Sequence, residues 1–252
     1  MRRPPPITIA QDLARSYAVD GWVGLGPVLE ATDVFALRAA IDGLPSATPS
    51  AYGRIVHNPW RTSEAFAARI PIIAAHTRAL LDDAPLVLFQ DHLIAKDPGS
   101  TSAIEWHQDF AYWPLDAALG VTVWVALDDA DLDNGCLRYA PGTHHGGECV
   151  AADFVAGAAM RKRDGLPLLD RARAEELAVA AAVPAGGALA HDPLVWHMSP
   201  PNPSARPRRA WSLSFIAPEV RWDPDHAPHP FVRTIGGPRG APVSGPAFLR
   251  FD

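Results

Sequence analysis

The chain has 252 residues and a formal net charge of −6, with 48% hydrophobic and 20% charged residues. These are globular values for a chain long enough to bury a sizeable core, which excludes a disordered polymer, and the acidic balance argues against a nucleic-acid surface. Two cysteines (Cys136, Cys149), no bilayer-length apolar run, and prolines rather than an apolar segment after Met1-Arg2-Arg3 lead to the expectation of a cytoplasmic protein without disulfides.

In chain order, Thr8 and Gln11 stand in capping-box relation, and Ile9, Leu13 and Tyr17 follow at i+4 steps. This predicts a helix that Gly21 can stop, followed by a short strand over 22–25. A second helix is expected from about Thr32, carrying Phe35, Leu37 and Ile41 and ending at Gly43 before Pro45. After about residue 85 the period changes to that of strands, at 86–95 and 120–127. In the latter, Val121, Val123 and Val125 share one face, and Thr122 and Trp124 the other. Asp133-Asn134-Gly135 signals a tight turn into a strand from Cys136 to Tyr139. Segments 187–191, 194–198 and 209–217 complete the strand set. The Ala-rich stretch 146–183, helical around 172–177, reads as an insertion or lid, and the proline-dense tail from Pro218 as loop. With 26 prolines and 19 glycines marking many turns, the expectation is one domain over 1–252, a β-sandwich or barrel with helices outside.

The densest chemical signal is Trp106-His107-Gln108-Asp109. Residues two apart in extended backbone project to one side, so His107 and Asp109 can offer an imidazole and a carboxylate to one metal ion. Three protein ligands with open positions define the facial triad of non-haem iron(II) oxygenases, and a third ligand must come from elsewhere. Of ten histidines, His197 is the best candidate, because it ends the apolar run Leu194-Val195-Trp196 and precedes a basic cluster. A dicarboxylate cosubstrate would also need a cation for its far carboxylate, for which arginine is best suited. Arg206, Arg208 and Arg209 compete. Arg208 shares strand parity with Ala210, Ser212 and Ser214, small residues that leave a cavity, whereas Arg209 shares it with Trp211, Leu213 and Phe215, which fill a core. Arg208 is therefore expected in the cavity, and Arg206 and Arg209 read as solvated charges. His144-His145 reads as structural, His191-Asp192 as a poorer ligand pair because the two are adjacent, and Cys136 as an inert small hydrophobe.

The stretches Trp106 to Pro114 (WHQDFAYWP), Val123 to His144 (VWVALDDADLDNGCLRYAPGTH) and His197 to Ser212 (HMSPPNPSARPRRAWS) closely resemble the phytanoyl-CoA dioxygenase superfamily of iron(II)/2-oxoglutarate dioxygenases. The resemblance covers roughly residues 5–217 and implies a mainly β fold, the double-stranded β-helix (a cupin-like jelly roll) with flanking helices. It implies His107, Asp109 and His197 as iron(II) ligands, Arg208 and Ser199 at the far carboxylate of 2-oxoglutarate, and Gln90 and Trp124 beside that cosubstrate. His92, which shares parity with Gln90, and Tyr112 and Trp113, just past the metal pair, are candidate substrate contacts. Thr143 stands where the family usually has serine, with the hydroxyl retained. The implied activity uses dioxygen to hydroxylate an unactivated C–H bond of a small molecule, with release of succinate and carbon dioxide. Related halogenases replace the ligand carboxylate with a small residue, so the intact Asp109 favours hydroxylation. Desaturation, epimerisation or cyclisation by the same chemistry, or a silent ligand-binding jelly roll, are the alternatives. No basic groove for a coenzyme A pyrophosphate is evident and no obligate protein partner is indicated, so the expected substrate is a small molecule of specialised metabolism.

Overall fold

The computed structural model describes residues 9–45, 53–150, 165–227, 229 and 234–252. Two antiparallel sheets face each other. The larger joins β1 (Trp22–Pro27), β8 (Gly187–His191), β5 (Gly120–Ala126), β10 (Arg208–Ile216), β3 (Leu86–Lys96) and β11 (Arg250–Phe251) in that order, with β2 (Arg54–His57) also paired to β3. The smaller has the order β4 (Ile104–His107), β9 (Trp196–Ser199), β6 (Leu137–Ala140), β7 (Val179–Ala181). This is the jelly roll expected from the sequence.

Alternation divides the larger sheet into two chemically different faces. Val121, Val123, Val125, Trp211, Leu213 and Phe215 face outward, where α2 (Ala31–Ala40) and α4 (Ile70–Leu80) close over them with Val34, Leu37, Ile70 and Ile73. Thr122, Trp124, Ser212 and Ser214 face inward, toward the smaller sheet. The strand β3 changes face midway. Ser214 pairs with Gln90 but Phe215 pairs with Leu88, so the register slips at Phe89. This bulge puts Leu86 and Leu88 on the helix side with Leu93, while Gln90, His92 and Ile94 line the space between the sheets.

The first helix, α1 (Ile9–Asp20), and β1 lie where the sequence places them; Thr8, its expected cap, lies outside the described residues. Phe35 on α2 is 74% exposed, because the buried stripe runs through Val34 and Leu37 instead. Several described elements were not expected, among them the short helix α3 (Glu64–Ala67). The helix α4 buries Ile70, Ile73, Ala74, Thr77 and Leu80, a helical stripe that Pro71 permits because it sits in the first turn. The strand β2 is short and flanks β3. The stretch 146–183 is not all insertion: α5 (Arg171–Leu177) is the expected helix, but Val179–Ala181 pairs with β6, and Ala181 and Val183 are core. Residues 151–164 lie outside the described residues. The tail is also more than loop. Val220, Trp222, Val243 and Phe248 form a second core with Val87, Phe89 and Trp113, and Arg250–Phe251 adds an edge to β3. Among the described residues, no helix is long and apolar enough to cross a membrane.

Candidate active site

The cavity lies between the sheets and is lined by β3, β5 and β10 on one side and β4, β6 and β9 on the other. His107 on β4 and His197 on β9 are direct cross-strand partners, with ring centroids 4.0 Å apart. That pairing joins two residues far apart in sequence, as cross-strand neighbours project side by side on one face. Asp109 follows β4, and one ligand atom from each of His107, Asp109 and His197 lies within 4.8 Å of the others.

The supporting hydrogen bonds orient every member of this set. Nδ1 of His107 lies 2.8 Å from the carbonyl of Glu105, and Nδ1 of His197 lies 3.0 Å from that of Val195. A carbonyl can only accept, so each Nδ1 carries the proton and each neutral ring has no proton on Nε2. The two Nε2 atoms lie 3.7 and 3.6 Å from Oδ1 of Asp109. The other oxygen, Oδ2, accepts from the Thr122 hydroxyl at 2.6 Å and from Nε2 of His191 at 3.3 Å. Nδ1 of His191 lies 2.9 Å from the Tyr139 hydroxyl, which can donate to it. Asp109 is thus held with one oxygen committed to protein and the other turned toward the imidazoles.

Burial lowers the affinity of His107 and His197 for a proton, more strongly for His197, whose imidazole neighbours add to the effect. Burial alone would raise the Asp109 carboxyl, but the His191 hydrogen bond and the surrounding imidazoles outweigh it and hold the group below the usual carboxylate range. Neutral imidazoles around an ionised carboxylate are the protonation states a divalent metal requires.

Arg208 enters the same cavity from β10 and is 0% exposed. Nη2 donates to the Ser199 hydroxyl at 2.6 Å, and the guanidinium lies over the Trp124 ring at 5.5 Å. Its Nε and Nη1 are buried without a hydrogen-bond partner. The neighbouring arginines differ. Arg209 holds Asp128 through two bonds of 2.7 and 2.8 Å, and Arg206 holds Asp131 through two of 2.9 and 2.7 Å. Arg206 is the exposed charge expected, ion-paired at the surface, whereas Arg209 is half-buried against Asp128. Buried donors are rarely left unpaired, so two on one cation mark a place for an anion. The donor set and the orphaned guanidinium together fit a metal ion and a carboxylate ligand.

Among the other expected site residues, Gln90, His92, Trp124 and Ser199 line the cavity. Gln90 is joined to His229 of the tail at 3.0 Å, and His92 stacks edge-on with His57. Trp113 is corrected: it is 2% exposed in the second core against Phe89, because the turn Phe110–Tyr112 carries the chain away from the cavity. Tyr112 stands 6.2 Å from the His107 ring but outside the cavity wall. His144 is structural, with Nε2 at the Ala18 carbonyl. The sequence reading missed Thr122 as a support, gave His191 too small a part, and missed Lys96. Thr122 had the required parity with Trp124, and Lys96 lies one residue past the expected end of its strand.

A jelly roll that gathers two histidines and an aspartate beside a buried, unpaired arginine defines the class of non-haem metal-dependent oxygenases. The family model for phytanoyl-CoA dioxygenase matches residues 17–210. The chain belongs to this family of iron(II)- and 2-oxoglutarate-dependent dioxygenases. It is 29% identical over 219 residues to L-proline trans-4-hydroxylase of Streptomyces griseoviridis, covering 76% of this chain and 81% of that protein. It is 34% identical over 150 residues to phytanoyl-CoA dioxygenase domain-containing protein 1 of Danio rerio, covering 56% of this chain and 48% of that relative. The chain thus matches about half the length of the latter. Among solved structures, the epimerase SnoN in complex with Fe3+, alpha ketoglutarate and nogalamycin RO superposes with a TM-score of 0.76 at 25% identity, covering 96% of this chain and 98% of that one. The carbocyclase SnoK, at 23% identity and a TM-score of 0.77 over 98% of this chain and 100% of that one, shares the fold.

Proposed function

We propose that this chain is an iron(II)- and 2-oxoglutarate-dependent hydroxylase of a small molecule, with His107, Asp109 and His197 holding the iron. Arg208 and Ser199 bind the far carboxylate of 2-oxoglutarate, with Trp124 and Gln90 beside it, and His92 faces the substrate. The observation that carries the reading is the buried guanidinium with two unpartnered donors in the same cavity as the His–Asp–His set. When bound, iron(II), 2-oxoglutarate and dioxygen supply the oxidising power, with succinate and carbon dioxide as by-products.

The protein's own contribution is placement. The Glu105 and Val195 carbonyls fix both imidazole tautomers so that Nε2 faces the metal position. Thr122 and His191 keep one Asp109 oxygen engaged, so that the other oxygen would be the one offered to a bound metal ion. Trp124 and Leu137 add apolar surface to the cavity wall, which disfavours competing reactions with water. The likeness to a proline hydroxylase and to an epimerase that binds nogalamycin RO supports a small-molecule substrate of specialised metabolism. The epimerase also favours a second reading, in which the same machinery rearranges a stereocentre without adding oxygen.

Incubating the protein with iron(II), 2-oxoglutarate and a panel of amino acids and polycyclic natural products tests both. Substrate-stimulated succinate formation with a product heavier by one oxygen supports hydroxylation, and an isomer of unchanged mass supports epimerisation. Absence of 2-oxoglutarate binding by the metal-loaded protein would refute the proposal.

A further inference from the structure

Lys96 is 0% exposed at the end of β3, opposite Arg208 in the β3–β10 register. Its amine lies 2.8 Å from the Ser199 carbonyl and 2.9 Å from the Ser199 hydroxyl, and it also reaches the Pro200 carbonyl. The same hydroxyl receives Nη2 of Arg208 at 2.6 Å. Two buried basic side chains therefore share one oxygen, and among the described residues neither is ion-paired to a carboxylate. The groups around Lys96 are few: Arg208 from β10, with Asp128 and Cys136 beyond it, and Ser199 and Pro200 at the end of β9.

Hydrogen-bond accounting gives this cluster two self-consistent states. With a neutral amine, the two N–H groups donate to the Ser199 and Pro200 carbonyls, and the nitrogen lone pair accepts the Ser199 O–H. With an ammonium, all three N–H groups donate, Ser199 Oγ accepts from both Lys96 and Arg208, and the hydroxyl proton is released to point elsewhere. In the first state every proton of the Lys96 amine and of the Ser199 hydroxyl has a partner without a ligand. In the second the hydroxyl needs a new acceptor, which a carboxylate on Arg208 would provide. We propose that Lys96 is a positioning residue of the cosubstrate site: it takes a proton from solvent as the carboxylate docks, turning the Ser199 hydroxyl from the lysine amine toward the carboxylate. The balance is one proton from solvent onto Nζ, one O–H···N bond replaced by N–H···O, and one new O–H···carboxylate bond. Burial, reinforced by the charge of Arg208, pushes the Lys96 amine down to about 6, so near pH 7.5 the ligand-free site holds it mainly neutral. An arriving anion reverses that bias.

This inference rests on the reading of the cavity as a 2-oxoglutarate site, and calorimetry separates the two. 2-Oxoglutarate is titrated into the full chain loaded with nickel(II) at pH 7.5, in buffers of different ionisation enthalpy. Wild type should take up a substantial fraction of one proton per ligand bound. Lys96→Met should abolish that uptake and weaken binding roughly ten- to hundredfold, the effect of losing a charge-assisted network. Lys96→Arg, which stays charged, should bind more tightly than Lys96→Met with no uptake. In a Ser199→Ala background, Lys96→Met should cost much less than in wild type, because the lysine acts through the hydroxyl. Binding by wild type without proton uptake, or uptake that persists in Lys96→Met, would overturn the role of Lys96 and leave the cosubstrate site standing. No binding at all would overturn both.

Discussion

Arg208 allows stability and ligand binding to be moved in opposite directions by one substitution. Its guanidinium is fully buried, makes one hydrogen bond, and has two donors without acceptors. Burial lowers it from 12.5 to about 10, a displacement worth about 3 kcal/mol of unfavourable desolvation at the order-of-magnitude level. Arg208→Met removes that cost but also forfeits the Ser199 bond and the contact with Trp124, each worth about 1 kcal/mol. The ligand-free protein should therefore gain about 1 kcal/mol, a rise in Tm of roughly 2–4 °C for a chain of this size. The ligand response should move the other way. Removing one partner of a sheltered charge pair costs on the order of 2–5 kcal/mol, or roughly thirty- to several-thousand-fold in affinity. A concentration of 2-oxoglutarate about a hundred times the wild-type Kd, which adds about 2.7 kcal/mol to wild type, should add well under half of that to the variant. Thermal unfolding with and without 2-oxoglutarate, on nickel-loaded protein, measures both. Arg209→Met, which breaks the pair with Asp128, should lower Tm slightly and keep the ligand-induced rise. If Arg208→Met destabilises the ligand-free protein while its ligand-induced rise survives, or if Arg209→Met is the variant that loses the response, the assignment of the anion site is wrong.

Three further outcomes are expected. His107→Ala or His197→Ala should each reduce iron(II) retained after gel filtration, measured by metal analysis, by more than the roughly ten- to hundredfold typical of losing a supporting bond; His144→Ala should retain it. Thr122→Val should weaken metal affinity about tenfold by releasing Asp109 Oδ2, seen by competition with a chromogenic chelator, and unchanged affinity would remove Thr122 from the site. Asp91 faces the helix side of β3, where burial raises it from 3.8 to about 7 despite the bond from Trp211 Nε1 at 2.7 Å. A raised carboxyl binds more protons folded than unfolded, so its stabilising share is complete below about pH 4 and is lost as pH rises to about 7. Asp91→Asn should remove that downward component from urea-derived stabilities across pH 4–7; an unchanged slope would show that the carboxyl is not protonated in the fold.

What could be read from the sequence follows from how each residue is buried. The β10 strand alternates small and bulky side chains, so its two faces and the choice of Arg208 over Arg209 were visible in one dimension. His107 and Asp109 were visible because a metal pair of this spacing needs only local extended backbone. Their partner His197 was singled out by its place at the end of an apolar run before a basic cluster, and the family resemblance agreed, but the cross-strand register that joins it to His107 is carried by no local pattern. Nearness in sequence failed where the chain turns. Trp113 was a candidate substrate contact because it lies just past the metal pair, but a short turn intervenes and its ring joins the core behind it. The apolar tail residues Val220, Trp222 and Phe248 have no period because loop backbone presents them, and their partners Val87 and Phe89 are exposed to them by a bulge that composition does not announce. Lys96 escaped for a related reason: a charged residue at a strand end reads as a boundary, whereas here the strand runs one residue further and buries it.

These buried groups share one physical feature. Arg208, Lys96 and His197 are buried and His107 is half-buried, and the charges near them are few: Asp109 between the imidazoles and, beyond hydrogen-bond reach of Arg208, Asp128. Each makes the ligand-free protein less stable than a hydrophobic replacement would, and the surrounding sheets tolerate that because their outer face is packed with aliphatic and aromatic residues. The cost is recovered only by ligands of defined charge: a cation at the lone pairs of the imidazoles and an anion at the guanidinium. A neutral molecule of the right shape offers neither. On the proposed reading, selectivity for the metal and cosubstrate would arise before any shape matching, from the sign of the charge that the donor set and the guanidinium require.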